Sequence, residues 1–268
     1  SVVDPLPHQR IAVYEQMHNQ NRLRFLLADD AGAGKTIMSG LYIREMLSRR
    51  VIRRVLIVPP AGLVGKWQRE MKQLFSLSFR VITGADARTG NPFEEEDSDL
   101  IIVSVDTLRG DQMLSRLQHE EVVPYDLVIF DEAHKLSARR DPDGTFRATE
   151  RYRLAEAIAG ISTPDPRWRL TWSPTHMLLL TATPHMGKDY PYFCLWRLLE
   201  PNVLSTFDAF KEFPAELKRH HFIRRTKEEM VYFNGKRIYP ERISDTLSYD
   251  LTTGPISEKT LYDQTTDY

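Results

Sequence analysis

A glycine-containing bend that runs into Lys-Thr, directly after an apolar run, has the side chains and backbone freedom to hold a row of phosphates. Phe25-Leu26-Leu27 leads into Ala28-Asp29-Asp30-Ala31-Gly32-Ala33-Gly34-Lys35-Thr36. Glycines let successive backbone N–H groups turn inward on phosphate oxygens, and a helix starting at Lys35 adds the partial positive charge of its N-terminus. In that arrangement Lys35 reaches the β- and γ-phosphates and the Thr36 hydroxyl holds magnesium. Asp29 stands where the general pattern G-x-x-x-x-G-K-[ST] has its first glycine. A chance Gly-Lys-Thr helix start is the bland alternative. The strand before the bend and the apolar helix after it favour the nucleotide.

A second group has complementary chemistry. Leu127-Val128-Ile129-Phe130 ends in Asp131-Glu132-Ala133-His134. Four apolar residues predict a buried strand, with two carboxylates emerging at its C-terminal end, the edge of an open parallel sheet where ligands bind. Asp131 there holds magnesium and Glu132 polarises the attacking water. An Asp-Glu pair closing a strand is by itself more often a solvated strand end. Joined to Lys35 and Thr36 in one sheet, it becomes a phosphoryl-transfer site. Zinc is a poor reading of His134, because H-E-x-x-H spacing is absent.

The elements that must position these groups follow from apolar patterning. Candidate strands are Arg24–Leu27, Val55–Val58, Phe79–Ile82, Leu100–Val103, Leu127–Phe130 and Met177–Leu180, short and mostly uninterrupted, as in strands buried on both faces. Between them Leu63, Val64, Trp67, Met71, Leu74 and Phe75 fall at helical spacing, as do Leu154, Ala155 and Ile158. This alternation predicts an α/β fold, a mostly parallel sheet with helices on both faces. Gly84–Asp99, with its acidic run, reads as a solvated mobile loop, and Ser137–Arg147 and Ser162–Pro174 read as loops. Arg49, Arg50, Arg53 and Arg54 read as a solvated helix end.

The chain has 268 residues, with 36 Lys+Arg against 37 Asp+Glu. Near-zero net charge excludes a histone-like polycation, so nucleic acid must meet a local basic face. Lys218–Lys227 is the better candidate, with five lysines and arginines and no acidic residue. No stretch approaches the ~18 apolar residues of a membrane span, so no membrane partner is expected. Cys194 is the only cysteine, which excludes an internal disulfide and fits a reducing, cytoplasmic compartment.

Taken together, the motifs resemble the first RecA-like lobe of superfamily-two helicases, specifically the Swi/Snf-type ATPases that translocate on double-stranded DNA. Leu6-Pro7-His8-Gln9 is similar to the adenine-reading motif, with Gln9 on the base. Asp29, Asp30, Ala31, Gly32, Ala33, Gly34, Lys35 and Thr36 match the family's own phosphate loop, which tolerates the acidic residue at Asp29. Asp131-Glu132-Ala133-His134 matches its acidic box, and Thr181-Ala182-Thr183-Pro184 the motif coupling hydrolysis to DNA movement through Thr181 and Thr183.

DNA-contacting residues implied by the resemblance are Pro60, Lys66, Trp67, Ser104, Thr107, Arg224 and Arg225. From helical spacing alone, Trp67 is better read as core than as a base-stacking platform. The motif wording is similar to bacterial members. ATP, Mg2+, double-stranded DNA, a second RecA-like lobe and a larger bacterial complex are the implied cofactors and partners. The same resemblance implies a lobe over residues 1–240 and a connection over 241–268 toward a second lobe that the chain lacks. Arginines of that lobe are worth ~10³–10⁵ in turnover, so the chain alone is expected to bind ATP weakly and hydrolyse it slowly. An RNA helicase lobe, a restriction-type motor lobe and a nucleotide-gated binding module remain the alternatives.

Overall fold

Apolar strands with no polar interruption must be covered on both faces, or their side chains meet water. In the computed structural model, which describes residues 3–185 and 187–240, one parallel seven-stranded sheet meets that demand. Its members are β1 (Arg24–Leu27), β2 (Val55–Val58), β3 (Arg80–Ile82), β4 (Leu100–Val103), β5 (Leu127–Phe130), β8 (His176–Leu180) and β9 (Phe222–Ile223). The separate pair β6 (Ala138–Arg140) and β7 (Phe146–Ala148) is antiparallel. The strand order is β3-β4-β2-β5-β8-β1-β9.

Period-two alternation sends successive side chains to opposite faces and builds two cores. Leu56, Val58, Val128, Phe130, Met177 and Leu179 join one core with the helices Asp111–Leu117, Glu150–Ala159 and Asp189–Leu199. Phe25, Leu27, Ile57, Ile129, Leu178 and Leu180 join the other with Lys35–Ser48 and Val64–Phe75. The α/β class with helices on both faces is therefore the observed one. Cys194 is fully buried in the first core.

Register places the chemistry. Leu27 pairs with Leu180, and Phe130 with Leu179, so β8 lies between β1 and β5. The phosphate bend, the Thr181–Thr183 segment and the acidic box thus leave adjacent strands at one edge of the sheet. Thr181 N–H donates to Leu27 C=O at 3.1 Å, carrying the alignment one residue past the strands.

Three readings need correction and one strand is added. Ser137–Arg147 contains the β6–β7 hairpin, closed by Asp141 N–H to Thr145 C=O at 2.9 Å and by Gly144 at φ +86°. Half of its strand residues are arginines, and Asp141 ties the strands by pairing with both Arg139 and Arg147. Gly84–Asp99 includes the helical turn Asp86–Thr89, buries Phe93 completely, and gives Glu95 and Asp97 to Arg80. Arg54 is buried, bonded to Phe93 C=O, Ser98 and Asp99 and stacked on Tyr125. Lastly, Phe222–Ile223 forms the edge strand β9 on β1, a pairing too short for periodicity to reveal. The expected strand at Ile243–Leu251, helix start at Glu258–Tyr268 and connection over 241–268 lie outside the described residues.

Gly40, inside the helix Lys35–Ser48, lets that helix meet Val64–Phe75 closely. A Cβ there would lie 2.2 Å from Phe75 Cε2. Gly40→Ala is expected to destabilise the fold by about 1–3 kcal/mol through overpacking. Gly62→Ala, with open space around its Cβ, should stay within about 0.5 kcal/mol of the parent in urea unfolding.

Candidate functional site

The bend after β1 is shaped by two glycines with left-handed backbone, Gly32 at φ +81° and Gly34 at φ +89°. At Gly34 a Cβ would also sit 2.3 Å from the Gln9 amide nitrogen, so both conformation and space require glycine. Lys35 starts the following helix and turns its ammonium back into the bend, donating to Asp29 C=O at 2.6 Å and Asp30 C=O at 3.2 Å. Burial lowers its pKa from the ordinary 10.5, while the nearby carboxylates of Asp29, Asp131, Glu132 and Asp30 work against that.

The turn Pro7–Arg10 closes the bend from outside. His8 Nε2 lies 2.8 Å from Ala33 C=O, and Gln9 Nε2 donates to the same oxygen at 3.2 Å. Gln9 is 3% exposed, and its Oε1 accepts from Leu6 N–H. Gln9, expected to meet the base, here contacts the bend itself.

Beyond β5, Asp131 is held by two donors. The Trp67 indole Nε1–H donates to Oδ2 at 2.8 Å, and Glu132 N–H to Oδ1 at 2.8 Å. Burial raises the Asp131 carboxyl above its ordinary 3.8, and these two donors oppose the rise. Glu132 adopts φ +51°, a strained conformation for a non-glycine residue. It turns its carboxylate toward His134, whose Nδ1 lies 3.3 Å from Glu132 Oε2 and 2.9 Å from Thr181 Oγ1. Thr181 Oγ1 in turn accepts from Thr183 N–H at 3.1 Å. Burial lowers the pKa of His134, so its ring is neutral at pH 7. His134 Nδ1 therefore lies between Glu132 and Thr181, and Thr181 meets Thr183.

Both halves of the site face one cleft of about 380 Å³, lined by Gly32, Gly34, Lys35, Thr36, Asp131 and Glu132 among others. Glu70, Lys66 and Leu74 line it too, residues that sequence reasoning did not assign to the nucleotide. Glu70 lies in the stretch of helical spacing from Leu63 to Phe75, which by itself gave it no role. Among the described residues no three or more His, Cys, Asp or Glu side chains gather around a point where an ion would sit. The cleft does bring two hard oxygen donors, Thr36 and Asp131, to one cavity, and magnesium suits such a site when phosphate oxygens complete its shell.

The residues expected along DNA divide differently. Trp67 is 1% exposed, so its ring has no face for a base and its role is to hold Asp131. Lys66 pairs with Glu70 at 3.7 Å inside the Lys35 cleft. Arg225 is turned inward onto Asp29 at 2.5 Å. Ser104 caps the turn Val105–Leu108 by accepting from Thr107 N–H at 3.1 Å, and its hydroxyl also meets the Thr107 hydroxyl at 2.9 Å. Pro60 lines a small separate cavity beside Asp131, Glu132, Lys135 and Arg151. Arg224 is exposed.

With this geometry in hand, residues 3–186 match the family model described as "Type III restriction enzyme, res subunit". The chain belongs to that family. RNA polymerase-associated protein RapA of Serratia proteamaculans is 34% identical over 245 residues, covering 89% of this chain and 22% of RapA. The uncharacterized ATP-dependent helicase YqhH of Bacillus subtilis is 31% identical over 217 residues, 80% of this chain and 32% of YqhH. The chain thus spans between 22% and 32% of the length of these curated relatives. Both are bacterial, in keeping with the motif wording.

In three dimensions the Sulfolobus solfataricus SWI2/SNF2 ATPase core in complex with dsDNA superposes with a TM-score of 0.65 at 20% identity. That match covers 87% of this chain and 47% of the solved one, and it is a likeness of fold. Family model, relatives and fold agree on a RecA-like lobe of a Swi/Snf-type, superfamily-two ATPase. Among the described residues no helix is long and apolar enough to cross a membrane.

The Trp67–Asp131 contact can be tested directly. Trp67→Phe removes the indole donor from a buried carboxylate and should cost about 1.5–3 kcal/mol at pH 7, the range for hydrogen bonds to charged groups. Because the Asp131 pKa is raised, its protonated form is favoured in the folded state, and the stability tied to that form is present at low pH and lost as pH rises through the raised pKa. The Trp67→Phe penalty should therefore shrink as pH falls through that value. Asp131→Asn, which removes the buried charge, should make the penalty small at every pH in urea titrations.

Proposed function

We propose that this lobe binds ATP-Mg in the cleft between Lys35 and Asp131 and contributes to a motor that moves along double-stranded DNA. The observation that carries the reading is the one cleft that brings Lys35 and Thr36, after β1, to Asp131 and Glu132, after β5, with His134 set between Glu132 and Thr181 of the intervening β8 edge. Lys35 leaves the carbonyls it now meets and takes the β- and γ-phosphate oxygens, stabilised by the N-terminus of its own helix. Thr36 and Asp131 would hold magnesium arriving with the nucleotide, which would supply positive charge to the phosphates. Glu132 accepts a hydrogen bond from the water in line with the γ-phosphorus and orients it.

His134 makes the acidic box responsive to neighbouring structure. Its neutral ring carries one proton, so Nδ1 either donates to Glu132 or accepts from the Thr181 hydroxyl. When Glu132 takes the attacking water's proton as the new P–O bond forms and the β,γ-bridging P–O bond breaks, its loss of charge shifts that choice and is felt at Thr181 and Thr183. This is our basis for assigning them the coupling of hydrolysis to movement. Arg224 and the exposed part of Lys218–Lys227 are the phosphate-facing groups we assign to DNA.

A second RecA-like lobe supplies the arginines that stabilise the transition state, a factor of ~10³–10⁵. The lobe by itself therefore binds ATP weakly and turns it over slowly. A larger bacterial assembly is consistent with the name of the RapA relative. A restriction-type motor is the second reading, because the matching family model carries that description.

In a two-lobed protein bearing this lobe, ATPase activity is expected to rise with duplex DNA more than with single-stranded DNA or RNA, with Lys35→Ala as the blank. RNA stimulation above duplex would overturn the DNA motor. Glu132→Gln should keep nucleotide binding while lowering turnover at least ~10²-fold, the lower end for a lost proton-transfer group. If DNA-linked activity persisted without turnover, a nucleotide-gated binding module would replace the motor.

A further inference from the structure

The stretch that follows β9 runs alongside the phosphate bend almost residue for residue. Ala28 N–H donates to Ile223 C=O at 2.8 Å and Asp30 N–H to Arg225 C=O at 3.1 Å. Lys227 N–H donates to Asp30 Oδ2 at 3.2 Å, and the Tyr239 hydroxyl to Gly32 C=O at 2.9 Å. At the centre is Asp29, fully buried. Its carboxylate receives the Arg225 backbone N–H at 2.8 Å and the guanidinium Nε at 3.2 Å and NH2 at 2.5 Å.

The same guanidinium reaches both ends of the bend. Its NH1 donates to His8 C=O at 2.6 Å, and His8 and Gln9 in turn contact Ala33 C=O. Lys35 depends on this frame as well, since its ammonium donates to the backbone carbonyl of Asp29. Where the general pattern relies on a glycine, this chain has an aspartate outside the left-handed region, so backbone freedom does not shape the bend at that point. A buried charge without its partner is strongly disfavoured, which makes the pair an obligatory unit.

We propose that Arg225 is a positioning residue for nucleotide binding: by gripping Asp29 it makes the segment 222–239 a splint for the phosphate bend. The DNA-contact role expected for Arg225 is thereby replaced by one directed at the bend. This inference rests on the ATP reading of the cleft. By reciprocity, whatever displaces the splint weakens polyphosphate binding, and bound polyphosphate tightens the splint.

Equilibrium binding of ATP-Mg and of AMP to the 268-residue chain separates positioning from simple bracing of the fold. Arg225→Gln is expected to weaken ATP binding at least tenfold while changing AMP binding less than twofold. Arg225→Lys, which keeps the charge, should recover part of the loss. The neutral double variant Asp29→Asn/Arg225→Gln leaves no lone buried charge, so it reports even where Arg225→Gln does not fold. Its ATP affinity should still fall at least tenfold below that of the unsubstituted chain, with AMP affinity changed less than twofold. Equal losses of ATP and AMP affinity, or unchanged ATP affinity with a lowered Tm, would overturn the positioning role. If the unsubstituted chain does not prefer ATP to AMP, the nucleotide reading fails first, and that result is distinct from a preference that survives every variant.

Discussion

Opposite charges kept out of bulk water at the carboxyl ends of β1 and β5 are the constraint on which the rest of the structure depends. Lys35 and Asp131 are both displaced by burial from their ordinary pKa values, each toward its neutral form, and each is drawn back by the other's charge. Neither group can occupy such a position unless the backbone around it is rigid, because an ångström of drift changes how well each charge is compensated. The parallel sheet provides that rigidity. β8 lies between the two strands and contributes Thr181 to the same edge.

Supporting contacts come from distant parts of the chain and share a physical form. Asp131 is satisfied by the indole of Trp67 from a helix on the second core. Asp29 is satisfied by Arg225 from beyond the edge strand. Glu132 holds a left-handed backbone and meets His134, which links it to β8. In each case a buried or strained polar group needs a specific partner, since leaving it unmet costs more than the bond contributes when formed. The site is therefore cross-braced, and a change at one strand end is transmitted to the next.

Legibility in the sequence varied with the kind of signal. β1, β2, β4 and β5 have the bounds expected from their apolar runs, because a strand buried on both faces carries its own signature. β3 starts one residue later than expected and β8 one residue earlier. The β6–β7 hairpin and β9 were not legible as strands. The hairpin is stitched by arginines on Asp141, and β9 is two residues whose pairing exists only because β1 is exposed at the edge. The acidic run after Gly84 is exposed, as expected of a solvated loop, and Arg80 in addition collects Glu95 and Asp97, a pairing that composition does not record. Arg54 was misread for the same reason, since its partners are 39 to 45 residues away in sequence.

By itself the sequence determined the α/β class, the position of the phosphate bend and the pair of carboxylates after β5, because these depend on local periodicity and adjacent residue types. Tertiary structure alone decided that Trp67 holds a carboxylate, that Arg225 turns inward to Asp29, and that Gln9 lies against Ala33. These outcomes are settled by which distant donor the packing brings within reach of a buried acceptor. Side-chain type sets the capacity for such a bond, and the packing of the sheet and its two helical layers sets the partner.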